Sequence, residues 1–212
     1  PSGLDPREPE RLAQTVVALG LRYCVITSVD RDDLPDGGAS IFGECIRLIQ
    51  EQAPKCEVEV LTPDFSGNQH ALRSVIDAGP AVFNHNIETV RRLFKGIRAK
   101  GDYWLSLEIL AMSRELAPSI PTKSGMMVGL GETIDEVFET MQDLRNVGVE
   151  LLTIGQYLRP SPQHVGMARF WHPQEFAELE RVGYSLGFKH VAAGPLVRSS
   201  YHADEQLSAS RD

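Results

Sequence analysis

The stretch from Lys123 to Thr133 has the composition of a turn that could bind a ligand. Its glycines are Gly125, Gly129 and Gly131. Because glycine has no Cβ, a ligand can approach the backbone closely there. Apolar residues at helical spacing follow, and Thr133 with Glu136 makes a Ser/Thr-x-x-Glu capping box. The pattern predicts a strand, a glycine-rich turn and a helix N-terminus with free N–H groups. An ordinary strand-to-helix connection has the same composition, so this turn alone does not establish a site.

The length, composition and net charge of the chain indicate a globular domain and argue against several other classes of protein. A chain of 212 residues with 42% hydrophobic and 24% charged residues can bury the core of one globular domain. A net charge of −8 argues against a general nucleic-acid binder and against a surface that attracts anionic lipid. The sequence has no run of 18 apolar residues and therefore predicts no membrane span.

The cysteines and histidines show no metal-binding spacing. Cys24, Cys45 and Cys56 are scattered and form no Cys-x-x-Cys motif, and the six histidines form no His-x-His or His-x3-His pair. Cys24 lies in a predicted strand and Cys45 on the apolar side of a predicted helix, so both are interpreted as small core residues. An odd cysteine count without metal spacing fits a reducing compartment.

Strand-like and helical segments alternate along the chain, which predicts a parallel sheet covered by helices. The strand-like segments are residues 21–29, 58–61, 81–83, the segment leading into Gly125, 151–154 and 190–193. Polar clusters follow five of them, at Asp30, Asp64, 84–88, 123–132 and 156–159. An open doubly wound sheet places its ligand at one switch point, whereas a barrel gathers all its strand ends around one mouth. So many polar strand ends favour a barrel or partial barrel.

Five blocks of sequence, in the same order along the chain, resemble lipoyl synthases. They are TSVDRDDLPDGG at 27–38, FNHNIET at 83–89, TKSGMMVGLGET at 122–133, TIGQYL at 153–158 and GPLVRSSYH at 194–202. A single block could recur by chance, but five in register are highly specific. On these blocks the chain is identified as a member of the lipoyl synthase family.

The resemblance implies an α/β fold, a partial (β/α)6 barrel of the radical S-adenosylmethionine type that lacks its first strand in this chain. It implies a sulfurtransferase that inserts two sulfur atoms into an octanoyl chain carried on a lysine of a lipoyl carrier protein. One [4Fe–4S] cluster would cleave S-adenosylmethionine to give a hydrogen-abstracting radical, and a second, auxiliary cluster would supply the sulfur. The barrel would position these cofactors and exclude water.

The cluster ligands depart from the family pattern. Lipoyl synthases carry two three-cysteine motifs upstream of the position where this chain begins, and Cys24, Cys45 and Cys56 do not stand in for them. Four thiolates usually hold a [4Fe–4S] cluster, so we expect this segment alone to hold neither cluster and to be inactive. We expect residues 1–193 to form the partial barrel and residues 194–212 to form a C-terminal extension.

The resemblance assigns roles to the Arg-Ser-Ser-Tyr motif near the C-terminus. In the family a serine of this motif binds the auxiliary cluster, which here implies Ser199, rather than Ser200, as a metal ligand. An alkoxide is a poor iron ligand compared with a thiolate, so it could be displaced when the cluster is dismantled. Arg198 would steady Ser199 or the substrate end of the pocket. From the residues alone, the serines would cap backbone groups and Arg198 would be a surface arginine.

Residues that follow the predicted strands are the expected contacts of S-adenosylmethionine. Asn86 and Glu88 would contact the ribose or the methionine ammonium, and Ser28 and Asp30 the methionine side.

Two further segments would contact the nucleoside. Gly129, Gly131 and Glu132 would bring the backbone against it. Tyr157 and Leu158 would flank the adenine, because an aromatic or apolar wall suits a base.

The resemblance also implies the partners. These are octanoylated carrier domains (the glycine cleavage H protein and the 2-oxoacid dehydrogenase E2 component) and an electron donor such as ferredoxin or flavodoxin. No nucleic acid or membrane partner is expected. The expected location is the cytoplasm, or a mitochondrion or plastid if a transit peptide precedes this segment.

Two other hypotheses fit parts of the sequence. A (β/α) barrel aldolase or isomerase could bind phosphate at the glycine-rich turn, with Lys123 as its Schiff-base lysine; a salt bridge to a barrel carboxylate is an equally good role for Lys123. A non-catalytic module that binds lipoyl carrier proteins is the third hypothesis.

Overall fold

Alternating strands and helices form a six-stranded parallel sheet in the computed structural model, which describes residues 3–211. The strands are β1 (Tyr23–Thr27), β2 (Glu57–Leu61), β3 (Val82–Asn84), β4 (Thr122–Val128), β5 (Leu151–Gln156) and β6 (His190–Gly194). The helices are α1 (Glu8–Leu19), α2 (Ala39–Gln52), α3 (Gln69–Asp77), α4 (Arg91–Ile97), α5 (Tyr103–Leu116), α6 (Ile134–Asn146), α7 (Pro173–Leu186) and α8 (Ala203–Arg211). A short 3₁₀ helix, Phe65–Gly67, follows β2.

The sheet curves into a partial barrel, as the sequence predicts. Each strand pairs in parallel with the next one along the chain, in the order β1-β2-β3-β4-β5-β6. The inward side chains of Glu59 in β2 and Lys123 in β4 meet across β3, with Nζ 3.0 Å from Oε1. Only a curved sheet brings residues of these non-adjacent strands together.

The two faces of the sheet differ in polarity because side chains alternate along each strand. The face toward the helices is apolar, with Val58, Val60, Phe83, Leu152 and Ile154 fully or almost fully buried in the main core. The inward face carries the polar residues Glu59, Asn84, Lys123 and Thr153, which are also buried. The interior of the barrel therefore contains a buried polar network.

Strand β1 is less buried than its sequence predicts. The apolar run of residues 21–29 is typical of a strand covered on both faces, but β1 is only half-buried. Val29, beyond its end, is 70% exposed. The reason is position: within residues 3–211, β1 pairs with β2 alone and forms one edge of the sheet.

Two predicted helix boundaries are confirmed. Gly20 ends α1 in the left-handed conformation, with φ +62°. At the start of α6, the Glu136 backbone N–H donates to Thr133 Oγ1 over 3.3 Å, and the Thr133 N–H donates to the Glu136 carboxylate over 2.8 Å. This reciprocal capping box fixes the direction in which the glycine-rich turn enters the helix.

The C-terminal helix α8 packs under the sheet. Leu207 packs against Val82, Leu151 and Tyr23, which lie at or near the amino ends of three strands. Arg211 adds an ion pair with Glu57 at 2.9 Å. The chain after β6 therefore runs from the carboxyl ends of the strands to their amino ends. No helix within the described part of the chain is long and apolar enough to span a bilayer.

Candidate active site at the carboxyl ends of the strands

The inward side chains of β5 and β6 become smaller toward the carboxyl ends of these strands, and β4 has a glycine in the middle of its inward face. From bottom to top they are Lys123, Gly125 and Met127 in β4, Leu151, Thr153 and Gly155 in β5, and His190, Ala192 and Gly194 in β6. The floor of the barrel is filled, whereas its upper part is open.

A cavity of about 310 Å³ occupies this open part. Six predicted site residues line it: Asn86, Glu88, Tyr157, Leu158, Arg198 and Ser199. They come from three separate parts of the chain, after β3, β5 and β6. The cavity lies at the carboxyl ends of parallel strands, where barrel enzymes hold their ligands.

The segment after β3 bends across the end of β4 and carries Asn86 and Glu88 into the cavity. Ser124 Oγ donates to the His85 carbonyl over 2.9 Å and accepts from the Ile87 N–H over 3.1 Å. The Glu88 N–H then donates to the Gly125 carbonyl over 3.0 Å. Glu88 itself has φ +66°, which costs a non-glycine residue about 1 kcal/mol or more. The surrounding hydrogen bonds thus hold Glu88 in a strained conformation.

Asn86 and Glu88 both present polar groups that a ligand could satisfy. Asn86 Oδ1 is buried and has no hydrogen-bond partner within residues 3–211. Burial raises the pKa of Glu88, while Arg98 and a hydrogen bond with Asn86 oppose the rise. Gly125 makes room for these groups, because a Cβ there would lie 2.7 Å from Asn86 Oδ1. Sugar hydroxyls or an amino group would suit this corner, since both hydrogen-bond to amide and carboxyl oxygens.

The segment after β6 forms another wall of the cavity by crossing the end of β5. The Val197 carbonyl lies directly over Gly155, in the space that a Cβ would occupy. Arg198 Nη1 donates to that carbonyl over 2.7 Å, and Ser199 follows at the cavity edge. Sequence reasoning missed Gly155, although a glycine inside a strand is a signal of close backbone approach.

The long loop between β5 and α7 is fixed by Gln156, which sequence reasoning also missed. Its Nε2 donates to the Arg169 carbonyl over 3.1 Å, and its Oε1 accepts from the Trp171 N–H over 2.9 Å. Tyr157 holds the middle of the loop, with its hydroxyl donating to the Val165 carbonyl over 2.8 Å. These bonds set the position of Tyr157 and Leu158 at the cavity.

The glycine-rich turn lies outside the cavity lining. The Glu132 carboxylate accepts from the backbone N–H groups of Gly129 and Leu130, over 2.5 and 2.9 Å. Gly129 and Gly131 have φ of +102° and +105°, which favour glycine. In the structure, Glu132 and the glycines therefore brace the turn itself, and their contact with a nucleoside stays a prediction.

Asp30 and Ser28 are also separate from this cavity. Ser28 is exposed beyond the end of β1. Asp30 lines a smaller polar cavity of about 260 Å³ with Asp64, Arg98 and Lys100. Arg98 influences the pKa of Glu88, so the two cavities are electrostatically linked.

Lys123 belongs to a buried network beneath the cavity that Asn86 and Glu88 line, which we call the main cavity. Glu59 accepts from Tyr23 Oη over 2.6 Å, from Asn84 Nδ2 over 2.8 Å, and from Lys123. The Lys123 and Glu59 side chains are both fully buried. Burial lowers the pKa of Lys123, and the attraction of Glu59 opposes this. A carbonyl substrate has no access to this amine, which counts against the aldolase hypothesis.

The cysteines of the described chain do not fit an iron–sulfur cluster. Cys24 and Cys56 approach each other, with their Sγ atoms 3.8 Å apart, but Cys45 belongs to α2. Residues 3–211 contain no group of three His, Cys, Asp or Glu side chains that could hold a metal ion. Burial raises the pKa of Cys24 to about 12 and that of Cys45 to about 11, which disfavours the thiolate that binds iron.

The Radical SAM superfamily matches residues 1–144, more than half of the chain. Lipoyl synthase of Halalkalibacterium halodurans is 52% identical over the whole chain, which covers 70% of that protein. This chain belongs to the lipoyl synthase family. The lipoyl synthase of Caldanaerobacter subterraneus is 56% identical with 74% covered, and that of Rubrobacter xylanophilus is 56% identical with 66% covered. The chain thus spans about two thirds of the length of these curated relatives.

Solved structures support the radical SAM barrel as the fold. Methylornithine synthase has a TM-score of 0.66 at 10% identity, over 94% of this chain and 65% of its own. HydG, a maturase of the [FeFe]-hydrogenase, has a TM-score of 0.68 at 14% identity, over 98% of this chain and 48% of its own. At such low identity these likenesses concern the fold alone. Family membership implies S-adenosylmethionine and [4Fe–4S] chemistry.

Proposed function

We propose that this chain is the barrel portion of a lipoyl synthase that inserts two sulfur atoms into a protein-bound octanoyl chain. The observation that carries the proposal is the identity of 50–56% to curated lipoyl synthases along essentially the whole chain. Such identity is far above the level at which only a fold is shared. The proposal includes two [4Fe–4S] clusters, but we assign no step to them, because the cysteines present here do not fit a cluster.

The cavity residues fit the nucleoside part of S-adenosylmethionine. When bound, this cofactor supplies the radical that abstracts hydrogen from the octanoyl chain. Asn86 would hydrogen-bond a ribose hydroxyl or the ammonium through its unpartnered Oδ1, and Glu88 would do so through its carboxyl group. Tyr157 and Leu158 would form the wall against adenine, while Gly125 leaves space beside Asn86. Tyr157, which is 8% exposed, would help to keep water away from this part of the cavity.

Other residues would act at the borders of the cavity. Asp30 and Ser28 would face the methionine end from the neighbouring polar cavity and the end of β1. Glu132, by bracing Gly129 and Gly131, would hold the turn in the shape that the nucleoside meets.

Ser199 is our choice for the oxygen ligand of the auxiliary cluster, with Arg198 beside it. Ser199 is half-buried and lines the main cavity, whereas Ser200 is exposed and faces a groove beside β1. The choice follows the family motif, and the difference in location supports Ser199 over Ser200. Arg198 would orient Ser199 or the substrate end of the cavity.

The proposed substrates and partners are octanoylated carrier domains, namely the H protein and E2 domains, and a reduced ferredoxin or flavodoxin. A cytoplasmic location is part of the proposal and rests on the bacterial relatives.

The test is conversion of an octanoylated carrier domain by the complete protein after anaerobic reconstitution of its clusters. We expect a lipoyl product, detected by mass spectrometry, that requires S-adenosylmethionine. Cofactor cleavage without any sulfur insertion would contradict the proposal. Borohydride treatment in the presence of a carbonyl substrate should leave Lys123 unmodified, and covalent trapping there would revive the aldolase hypothesis.

A further inference from the structure

The two loops on the β5–β6 side of the cavity mouth contain no aspartate or glutamate. They are residues 157–172, between β5 and α7, and residues 195–202, between β6 and α8. Both border the main cavity, through Leu158 and Pro160 in one loop and residues 197–199 in the other. We call these two loops the acid-free rim. The chain as a whole has a net charge of −8, so two loops without any acidic residue differ from the rest of it.

The acid-free rim carries positive charge that its own surroundings do not neutralise. Among residues 3–211, Arg159 and Arg198 donate only to backbone carbonyls and form no ion pair. Arg169 differs, because Glu175 of α7 neutralises it at 2.7 Å. A partner could therefore supply the missing carboxylates for Arg159 and Arg198.

The loops that follow β1 and β2 are acidic. The loop after β1 contains Asp30, Asp32, Asp33 and Asp36, and Asp64 follows β2. Arg31 and Lys100 pair with Asp33 and Asp32, which leaves a surplus of carboxylates in these loops. The loops after β1 and β2 are thus acidic, whereas the acid-free rim is basic.

Large apolar side chains are also exposed on the acid-free rim. Leu196 is 79% exposed, Phe170 is 66% exposed, and Tyr201 is exposed as well. Aromatic and aliphatic groups next to arginine are typical of protein interfaces, where they act as anchors in the partner surface.

We propose that the acid-free rim docks an acidic protein domain and directs its acylated lysine into the cavity. The proposal rests on the proposed function, because the rim borders the cavity that would receive the acyl chain. Phe170 and Leu196 would bury apolar surface against the domain, while Arg159 would attract its carboxylates. Repulsion from the aspartates that follow β1 and β2 would disfavour binding of the domain to those loops.

The test is equilibrium binding of the complete protein to an octanoylated carrier domain with carboxylates around its lysine. Arg159→Glu should weaken binding about five- to tenfold at low salt, and the difference should shrink as salt rises. Phe170→Ser should weaken binding at both salt concentrations, because burial of apolar surface is not screened. Arg73→Glu on α3 is the matched control: Arg73 is exposed, forms no ion pair within the described chain, and should leave binding unchanged.

Two results would overturn the docking surface. One is equal affinity of the wild type, Arg159→Glu and Phe170→Ser proteins for the domain, or no binding by the wild type. The other is a loss of affinity for a short uncharged octanoyl-lysine peptide in Arg159→Glu that equals its loss of affinity for the domain. The peptide has no acidic surface, so the charge of Arg159 should not affect its binding. Sulfur insertion into that peptide is followed in parallel. Its failure in the wild type would count against the proposed function and leave the binding comparison valid.

Discussion

Lys123 and Glu59 form an ion pair in the interior of the barrel, with both side chains fully buried and Nζ 3.0 Å from Oε1. Tyr23 and Asn84 complete the hydrogen bonds of the Glu59 carboxylate. Taking two charges out of water is costly, and their attraction offsets that cost only while both partners are present. The pair lies in the barrel interior directly beneath the candidate site.

Removing one partner of this pair should destabilise the protein strongly. Lys123→Met leaves the Glu59 carboxylate buried and unpaired, so we expect a loss of about 3–5 kcal/mol in the free energy of unfolding. Urea denaturation measures this loss. The double variant Lys123→Met/Glu59→Leu should recover much of it. The exposed pair Arg47–Glu44 should contribute less than about 1 kcal/mol. An equally small loss for Lys123→Met would contradict the prediction, because it would mean that another group compensates the Glu59 carboxylate.

Gly155→Ala should displace the segment that carries Arg198 and Ser199. The new Cβ would meet the Val197 carbonyl, so that segment must move away from β5. We expect a loss of about 1–3 kcal/mol in stability and a larger loss of sulfur insertion. Gly166→Ala is the control, because a Cβ at Gly166 meets nothing within 4 Å. Equal activity of the two variants would contradict the proposed role of the segment.

Glu88→Gln should change how stability depends on pH. Burial raises the pKa of Glu88 above its unfolded value, so the folded protein holds the proton more tightly. Stability is therefore greatest below the ordinary carboxyl pKa and falls as pH rises through the raised pKa. The Gln variant lacks this loss, so it should be more stable than wild type at neutral pH, with the difference vanishing below about pH 4. Urea denaturation between pH 4 and 8 checks this, and a constant difference would refute it.

The same substitution should weaken S-adenosylmethionine binding in the complete protein. A neutral amide replaces a carboxyl group that we assign to the ribose or the ammonium, and we expect an affinity about tenfold lower. Calorimetric titration measures the affinity directly. Unchanged affinity would remove Glu88 from the binding site while leaving the prediction on stability intact.

Ser199→Ala should separate the two stages of the reaction in the complete protein. If Ser199 binds the auxiliary cluster, the variant should lose most lipoyl product and still cleave S-adenosylmethionine. Ser200→Ala, one residue away and outside the main cavity, should keep both activities. Product and 5′-deoxyadenosine are quantified in the same samples by mass spectrometry. A parallel collapse of cleavage in Ser199→Ala would contradict the assignment.

The sequence predicts those features that depend on local pattern. Alternating strand and helix periods indicate the parallel sheet, and the Thr133–Glu136 capping box is confirmed by its hydrogen bonds. Polar residues after the strands indicate where a cavity would form, because parallel strands end on the same side. Six of the site residues expected from the strand ends and from the family resemblance together line one cavity.

Features that depend on distant contacts could not be predicted from the sequence. Gln156 fixes the loop that follows it through the backbone of Arg169 and Trp171, and nothing in its local pattern distinguishes it from a surface glutamine. Strand β1 has the composition of a central strand but is an edge strand within residues 3–211. Its own residues do not show this exposure, which fits the expectation that the first strand of the barrel is missing from this segment.

The path of the chain after β6 has a consequence for biosynthesis. Residues 195–202 provide one wall of the cavity, and α8 then packs against the amino ends of the strands. All six strands leave the ribosome before these residues do. A nascent chain can therefore assemble its sheet while the cavity is still open at one wall and at its base. Synthesis that stops at β6 therefore yields a sheet whose cavity lacks the wall formed by residues 195–202 and the packing of α8 at its base.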